Sequence, residues 1–264
     1  MAGKQKRDNQ QPDCITARIL GMAKKESGFT LIELLIAIGV GSLIIAAIYA
    51  AVNLAQKSTA GVSRKITTQQ DARTALEIMA MEVRMASYNR KSPRTWHVDP
   101  GGNCAGKVSF AIVQNENNND TERRKGIQRA DADRIAIAMD LGEPPSESIA
   151  NPLQANEYIE YLYKSDAIMR SVSCGSFQPF LGGTGADTNV KNAEAGIPLF
   201  QYFDRNGNNL ADASGNVPAD RIPSIRRIRI TIVAETKEKD SLTGKTKRMT
   251  YTTDVLVKNH ALCP

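Results

Sequence analysis

The chain has 264 residues, with 34 Lys and Arg against 28 Asp and Glu, a formal net charge of +6. That length suits a long helix and one globular domain. Six basic residues (Lys4, Lys6, Arg7, Arg18, Lys24, Lys25) and three acidic ones (Asp8, Asp13, Glu26) fall in the first 28, so half of the excess charge lies there. The remainder is nearly balanced, which argues against a nucleic-acid partner on net charge.

Residues 1–28 read as polar, basic and unstructured. Ala17 to Ala23 is too short an apolar stretch to matter, and Met22 would open a compact alternative leader, Met-Ala-Lys-Lys-Glu-Ser-Gly. Next comes Lys24-Lys25-Glu26-Ser27-Gly28-Phe29-Thr30-Leu31-Ile32-Glu33, which opens an apolar run to Val52 with one charge in it, Glu33. Leu34 to Leu54 is uncharged, and at helical rise it spans roughly 30 Å, one bilayer core. The lysine flank predicts a cytoplasmic N-terminus, with everything after Leu54 across the membrane.

Glu33 is the anomaly, because a carboxylate at the edge of a membrane helix is costly without a partner. A cut between Gly28 and Phe29 would create an α-ammonium one helical turn before it, and the first turn of a helix favours a negative charge. The plainer alternatives are an uncleaved anchor and a secretory signal peptide. Against the latter, the apolar run is too long and lacks an Ala-x-Ala exit.

At Gly28-Phe29-Thr30-Leu31-Ile32-Glu33, after a basic leader, the sequence resembles the type IV pilin family, including the pseudopilins of type II secretion. The resemblance implies cleavage after Gly28 by a prepilin peptidase, N-methylation of Phe29, and docking of a neighbouring subunit through Glu33. The later stretches Gln69-Gln70-Asp71-Ala72-Arg73-Thr74-Ala75-Leu76 and Glu82-Val83-Arg84-Met85-Ala86-Ser87-Tyr88 resemble minor pilins of the PilW type.

No proline occurs between Phe29 and Ser92. One helix is therefore predicted from about Thr30 to about Tyr88, roughly 90 Å at 1.5 Å per residue, with Gly39 and Gly41 as soft spots. Beyond the apolar part, Leu76, Met79, Ala80, Val83 and Ala86 recur at three and four residues and predict packing on the protein's own sheet. Asp71, Arg73, Glu77, Glu82 and Arg84 are expected on the opposite, solvated face. Ser92-Pro93 ends the helix.

A loop through Trp96, His97 and Pro100 to Cys104 leads to a predicted strand at Val108 to Gln114. Asn115 to Asp120 with Arg123-Arg124-Lys125 reads as a solvated loop. Arg134 to Asp140 is a predicted strand, Glu143 to Asn156 a loop, and Glu157 to Lys164 with Ala167 to Ser173 a hairpin turning at Ser165-Asp166. Gly175 to Gly196 is expected to be the longest loop. Pro198 to Asp204, Ile225 to Thr236 and Lys247 to Lys258 complete the strands, with Tyr251, Thr253, Val255 and Val257 on one face. No internal repeat is expected. The class is α+β: a long N-terminal helix, transmembrane in its first half, packed on an antiparallel sheet. The divisions are a leader at 1–28, a helix at 29–90 with its membrane part at 29–54, and a β-rich domain at 91–264.

Candidate sites outside the head of the helix are few. Cys14 belongs to the leader. Cys104, Cys174 and Cys263 would lie in an oxidising compartment, and one disulfide is expected, Cys104 to Cys174 by preference because both lie in loop-rich sequence. Asp204, Asn206, Asn208, Leu210 (through its carbonyl) and Asp212 alternate like the oxygen donors of a calcium loop. Against that, Gly207 is in the wrong slot and Gly215 stands where a bidentate glutamate belongs; the alternative is an Asn-Gly turn. Arg226, Arg227 and Arg229 read as the polar face of a strand. There is no phosphate loop and no G-x-S-x-G, and neither His97 nor His260 has a triad or metal context.

The expected function is therefore assembly rather than catalysis, with no small-molecule substrate and no cofactor apart from the weighed calcium. The resemblance implies a minor type IV pilin whose partners are prepilin peptidase, the inner membrane and other major and minor pilins, and which moves from the inner membrane to the pilus and cell surface. The alternatives are a minor pseudopilin and a membrane-tethered adhesin or DNA-uptake protein.

Overall fold

The computed structural model describes residues 28–88, 126–139, 141, 157–241 and 243–261. The expected leader, the helix stop at Ser92-Pro93, the strand Val108 to Gln114, the loops around Trp96 and His97, at 115–125 and at 143–156, and the residues Cys14, Cys104 and Cys263 lie outside them. The chain divides into two compact units, Met1–Leu54 and Ala55–Pro264. Helix α1, Leu31–Met85, contributes to both and is unbroken at Gly39 and Gly41.

In the first unit α1 is apolar on every side. Leu31, Leu34, Leu35, Ile38, Leu43, Ile44, Ile48 and Leu54 are all exposed. A helix with no polar face has no reason to prefer water on any side. Among the described residues, α1 is the one helix long and apolar enough to cross a membrane, by length and composition.

In the second unit the same helix becomes one-sided. Thr68, Ala72, Ala75, Leu76, Met79, Ala80, Glu82 and Val83 are buried, and the apolar ones join a single core with the strands. The expected stripe is present and extends back to Thr68.

The strands form two antiparallel sheets where one was expected. The first is a meander of β1 (Ile127–Ala130), β2 (Arg134–Ala138), β3 (Tyr158–Lys164), β4 (Ala167–Val172) and β5 (Gln178–Gly182). The β3–β4 turn is the predicted one, with Ser165 and Asp166 both at positive φ, the backbone a two-residue hairpin requires. The second sheet is built on β8 (Arg227–Thr236). Strand β9 (Arg248–Leu256) runs along one edge of β8, while β6 (Thr188–Val190) and β7 (Phe200–Phe203) share the other, pairing with its two ends.

Asn192, in the short helix α2 (Asn192–Ala195), fills the gap between β6 and β7. Its Oδ1 accepts the Val233 N–H at 2.9 Å and its Nδ2 donates to the Thr231 carbonyl at 2.7 Å. One buried side-chain amide thus does the work of a strand residue, satisfying a donor and an acceptor that β8 would otherwise leave bare.

Two further expectations change. The stretch 175–196, read as loop, carries β5, β6 and α2. These elements are three to five residues long and contain Pro179 and glycines, so neither periodicity nor propensity marks them. Glu82, placed by helical periodicity on the solvated face, is buried. Its Oε2 accepts the Tyr161 hydroxyl at 2.5 Å and its Oε1 the Arg170 Nη2 at 2.6 Å. Burial raises the Tyr161 phenol far above its ordinary pKa, so it remains a donor at any physiological pH.

Helix α1 ends against the C-terminal turn. The Ser87 hydroxyl bonds His260 Nδ1 at 2.9 Å, and His260 Nε2 bonds the Ile222 carbonyl at 2.9 Å. A carbonyl only accepts, so Nε2 carries the proton and Nδ1 accepts from Ser87 when the ring is neutral. Gly126 packs so close that a Cβ there would lie 2.1 Å from the Ser87 nitrogen, which admits no side chain.

Two substitutions test this packing in the full chain in detergent, read by urea unfolding of the β domain. Glu82→Ala leaves the Arg170 cation without its partner and should cost about 3 kcal/mol. Asn192→Leu strands two buried backbone groups and should cost roughly 2 to 4 kcal/mol.

Candidate functional site

The head of α1 is closed by its own sequence. Thr30 immediately precedes the helix. Its N–H and its hydroxyl both donate to Glu33 Oε2 at 2.9 Å, and the Glu33 N–H is directed at Thr30 Oγ1 at 3.3 Å. This reciprocal arrangement is a capping box, a threonine followed three residues later by glutamate. The signature Thr30-Leu31-Ile32-Glu33 was open to sequence reading, which placed Glu33 in the first turn as a charge in search of a partner and passed over the cap. All three bonds join Thr30 and Glu33, and two of them end on the same carboxylate oxygen, so the Glu33 side chain reaches back to the backbone just after Phe29.

Phe29 is 88% exposed, and a Cβ added at Gly28 would meet nothing within 4 Å. The chain's own packing therefore makes no demand for glycine at 28.

Cys174 is disulfide-bonded, and the other three cysteines of the sequence lie outside the described residues. It sits in a tight turn with Ser173, both at positive φ, after β4.

The alternating oxygens at 204–212 belong to two successive turns of one design. Asp204 Oδ1 accepts the N–H groups of Asn206 and Asn208, each at 2.8 Å, and its Oδ2 accepts Asn208 Nδ2 at 2.8 Å. Eight residues on, Asp212 Oδ1 accepts the N–H groups of Ser214 and Asn216 at 2.9 and 3.0 Å. Gly207 and Gly215 hold the positive φ each turn needs. The repeat is Asp-x-x-Gly-Asn, read twice, where no repeat was expected. Leu210 is a core residue whose N–H donates to the Tyr202 carbonyl at 2.9 Å. The hydrogen bonds, Asn208's side chain foremost, hold the Asp204 carboxyl below its usual pKa. Turn closure accounts for the spacing without a metal. Among the described residues, no group of three or more His, Cys, Asp and Glu is placed to hold one.

The arginine cluster divides. Arg227 and Arg229 both pair with Asp254 across β8 and β9, with Arg229 bidentate at 2.7 and 3.0 Å. Both guanidinium groups also lie over the Phe203 ring, at 4.3 and 5.4 Å from its centre. Arg226 instead donates Nη1 to the carbonyls of Pro223 and Ile225.

The hydrogen bonds from Arg229, followed by the field of both arginines, lower the Asp254 pKa below 3.8. A folded-state pKa below the unfolded one stabilises above the unfolded value, and that contribution is lost as pH falls through the folded value. The stability advantage of the wild type over Asp254→Asn should therefore be constant above about pH 5 and shrink below about pH 4. Thermal melts of the two proteins across that range provide the measurement.

Comparison with known proteins places one feature. Residues 23–49 match the family described as the prokaryotic N-terminal methylation motif. No curated protein matches the chain. Among solved structures, the type IV-like pilin TTHA1219 from Thermus thermophilus is similar with a TM-score of 0.39 and 11% identity, over 73% of this chain and 96% of that one; a likeness of that size carries no argument. The chain thus bears a prepilin-type methylation motif at residues 23–49, at the head of an apolar helix that continues into an α+β domain.

Proposed function

We propose that this protein is a minor type IV pilin, made in the inner membrane with its N-terminus cytoplasmic, cut after Gly28 by prepilin peptidase, methylated on Phe29 and assembled with other major and minor pilins at the cell surface. The observation that carries the reading is the methylation motif at 23–49 on a helix whose first half offers apolar side chains to every side. A glycine that the chain's own packing does not require fits a requirement imposed from outside, by a peptidase.

After the cut, the new α-ammonium of Phe29 would adjoin the Thr30 N–H that Glu33 already accepts. The carboxylate can then serve its own helix or meet the ammonium of a neighbour, and the ion pair supplies specificity more than net stability. The rival within the same machinery is a minor pseudopilin of type II secretion. Deletion separates the two, through loss of surface pili against loss of secreted enzymes. In either case we place the Cys174 disulfide with Cys104, on the oxidising side of the membrane.

The test uses the capping box. Glutamine at the third helical position still closes such a box and carries no charge. Glu33→Gln should therefore insert and be cleaved like the wild type, with the mature mass beginning at methylated Phe29, yet recover about tenfold less partner pilin from membranes. Equal recovery would restrict Glu33 to capping, and an intact leader on the wild-type protein in cells containing the peptidase would overturn the reading as a whole.

A further inference from the structure

At the end of the second sheet, an open groove of about 960 Å³ lies between the Asp204 turn and the C-terminal end of β9. Its lining includes Arg205, Arg226, Arg227 and Lys258, with Asp204 as the acidic member. Asp254 pairs with Arg227 as well as Arg229, which leaves three cations. Asp204 keeps its negative charge but gives its oxygens to three hydrogen bonds from its own turn, so it forms an ion pair with none of them. Among the described residues Arg205, Arg226 and Lys258 have no carboxylate within ion-pair distance. Arg226 is half-buried and its Nη1 is held by two backbone carbonyls, which fixes the guanidinium and leaves its other N–H groups free to donate. In the same lining Leu256 is 58% exposed, a large apolar side chain set among cations.

We propose that this groove binds an acidic peptide segment of a partner protein, with carboxylates on Arg226, Arg205 and Lys258 and an apolar side chain on Leu256. The charge pattern favours this occupant over a nucleic-acid strand. A phosphate backbone is followed by a stripe of cations, whereas here Asp254 neutralises the cations next along β8, so the unpaired charge is confined to one groove. A phosphate has no use for Leu256; a peptide with acidic and apolar residues uses both features. The site is independent of the filament reading, since it lies wholly within the β domain and would serve a solitary anchored protein equally.

The experiment is fluorescence polarisation of a labelled Glu-Leu-Glu-Glu-Leu-Glu peptide against the full chain in detergent at about 0.15 M salt, where surface charges are screened beyond about 8 Å, with protein-free micelles as the blank. Saturable binding is expected. The pair Arg226→Gln with Lys258→Gln should weaken it about tenfold or more, and Leu256→Ser about threefold or more. Arg205→Gln alone, at an exposed position whose side chain makes no hydrogen bond or ion pair among the described residues, should weaken it measurably without unfolding the domain. Arg248→Gln, whose guanidinium pairs with Glu235 and Glu194 at the far end of β9, should leave it unchanged. The proposal is overturned if the peptide does not bind, if the groove variants bind as the wild type does, or if a short thymidine oligonucleotide displaces the peptide at equal or lower concentration while Leu256→Ser has no effect.

Discussion

The bond network around Glu82 settles where α1 sits on its sheet. The buried stripe of α1 recurs every turn, but Leu76, Met79 and Val83 are interspersed in it with alanines, so a shift by one turn would set large side chains where small ones pack. A carboxylate is less tolerant still. Displaced by a turn, it would be buried without the Tyr161 hydroxyl and the Arg170 guanidinium, and an unpaired buried charge is among the costliest defects a domain can carry. The core supplies the attraction and Glu82 supplies the register. Everything at the end of the helix depends on that register, including the close approach of Gly126 to Ser87 and the Ser87–His260 pair that holds the C-terminal turn.

The same logic recurs in the second sheet. Strand β8 is too long for either β6 or β7 to cover its edge alone. Asn192 completes the edge with two hydrogen bonds from one side chain. A polar residue in the interior is again the positional device, and apolar burial around it supplies the adhesion.

Sequence reading went furthest where one physical signal dominated. Leu34 to Leu54 carries no charge, the stripe from Leu76 to Ala86 has a helical period, β9 alternates along its length and β8 in its first half. Each of these was legible. It failed where the deciding contact lay far away in the chain. Glu82 is on the polar side by periodicity, and only Arg170, 88 positions on, makes its burial tolerable. Strands β5 and β6 are short edge pieces, specified by their neighbours more than by their own residues. The Asp204 oxygens were seen at the right spacing, but alternation is also what a turn produces when one carboxylate collects successive backbone N–H groups. The repeat at Asp212, visible in the sequence, was the signal that would have identified the turn.

Charge illustrates why spacing alone misleads. Past residue 28 the chain is nearly neutral, which speaks against a chain that is basic throughout. Yet neutrality in the sum says nothing about how charges are distributed once the chain folds. Glu82 serves Arg170, Glu160 serves Arg134, Glu235 serves Arg248, and Asp254 serves two arginines at once. Asp204 and Asp212 give their oxygens to backbone N–H groups and form no ion pair among the described residues. Asp204 keeps its charge while it closes its turn, so at the end of the second sheet Arg205, Arg226 and Lys258 share one groove with a single carboxylate that none of them engages. The positive field there is the difference between three unpaired cations and that one acid, in a chain whose sum is close to zero.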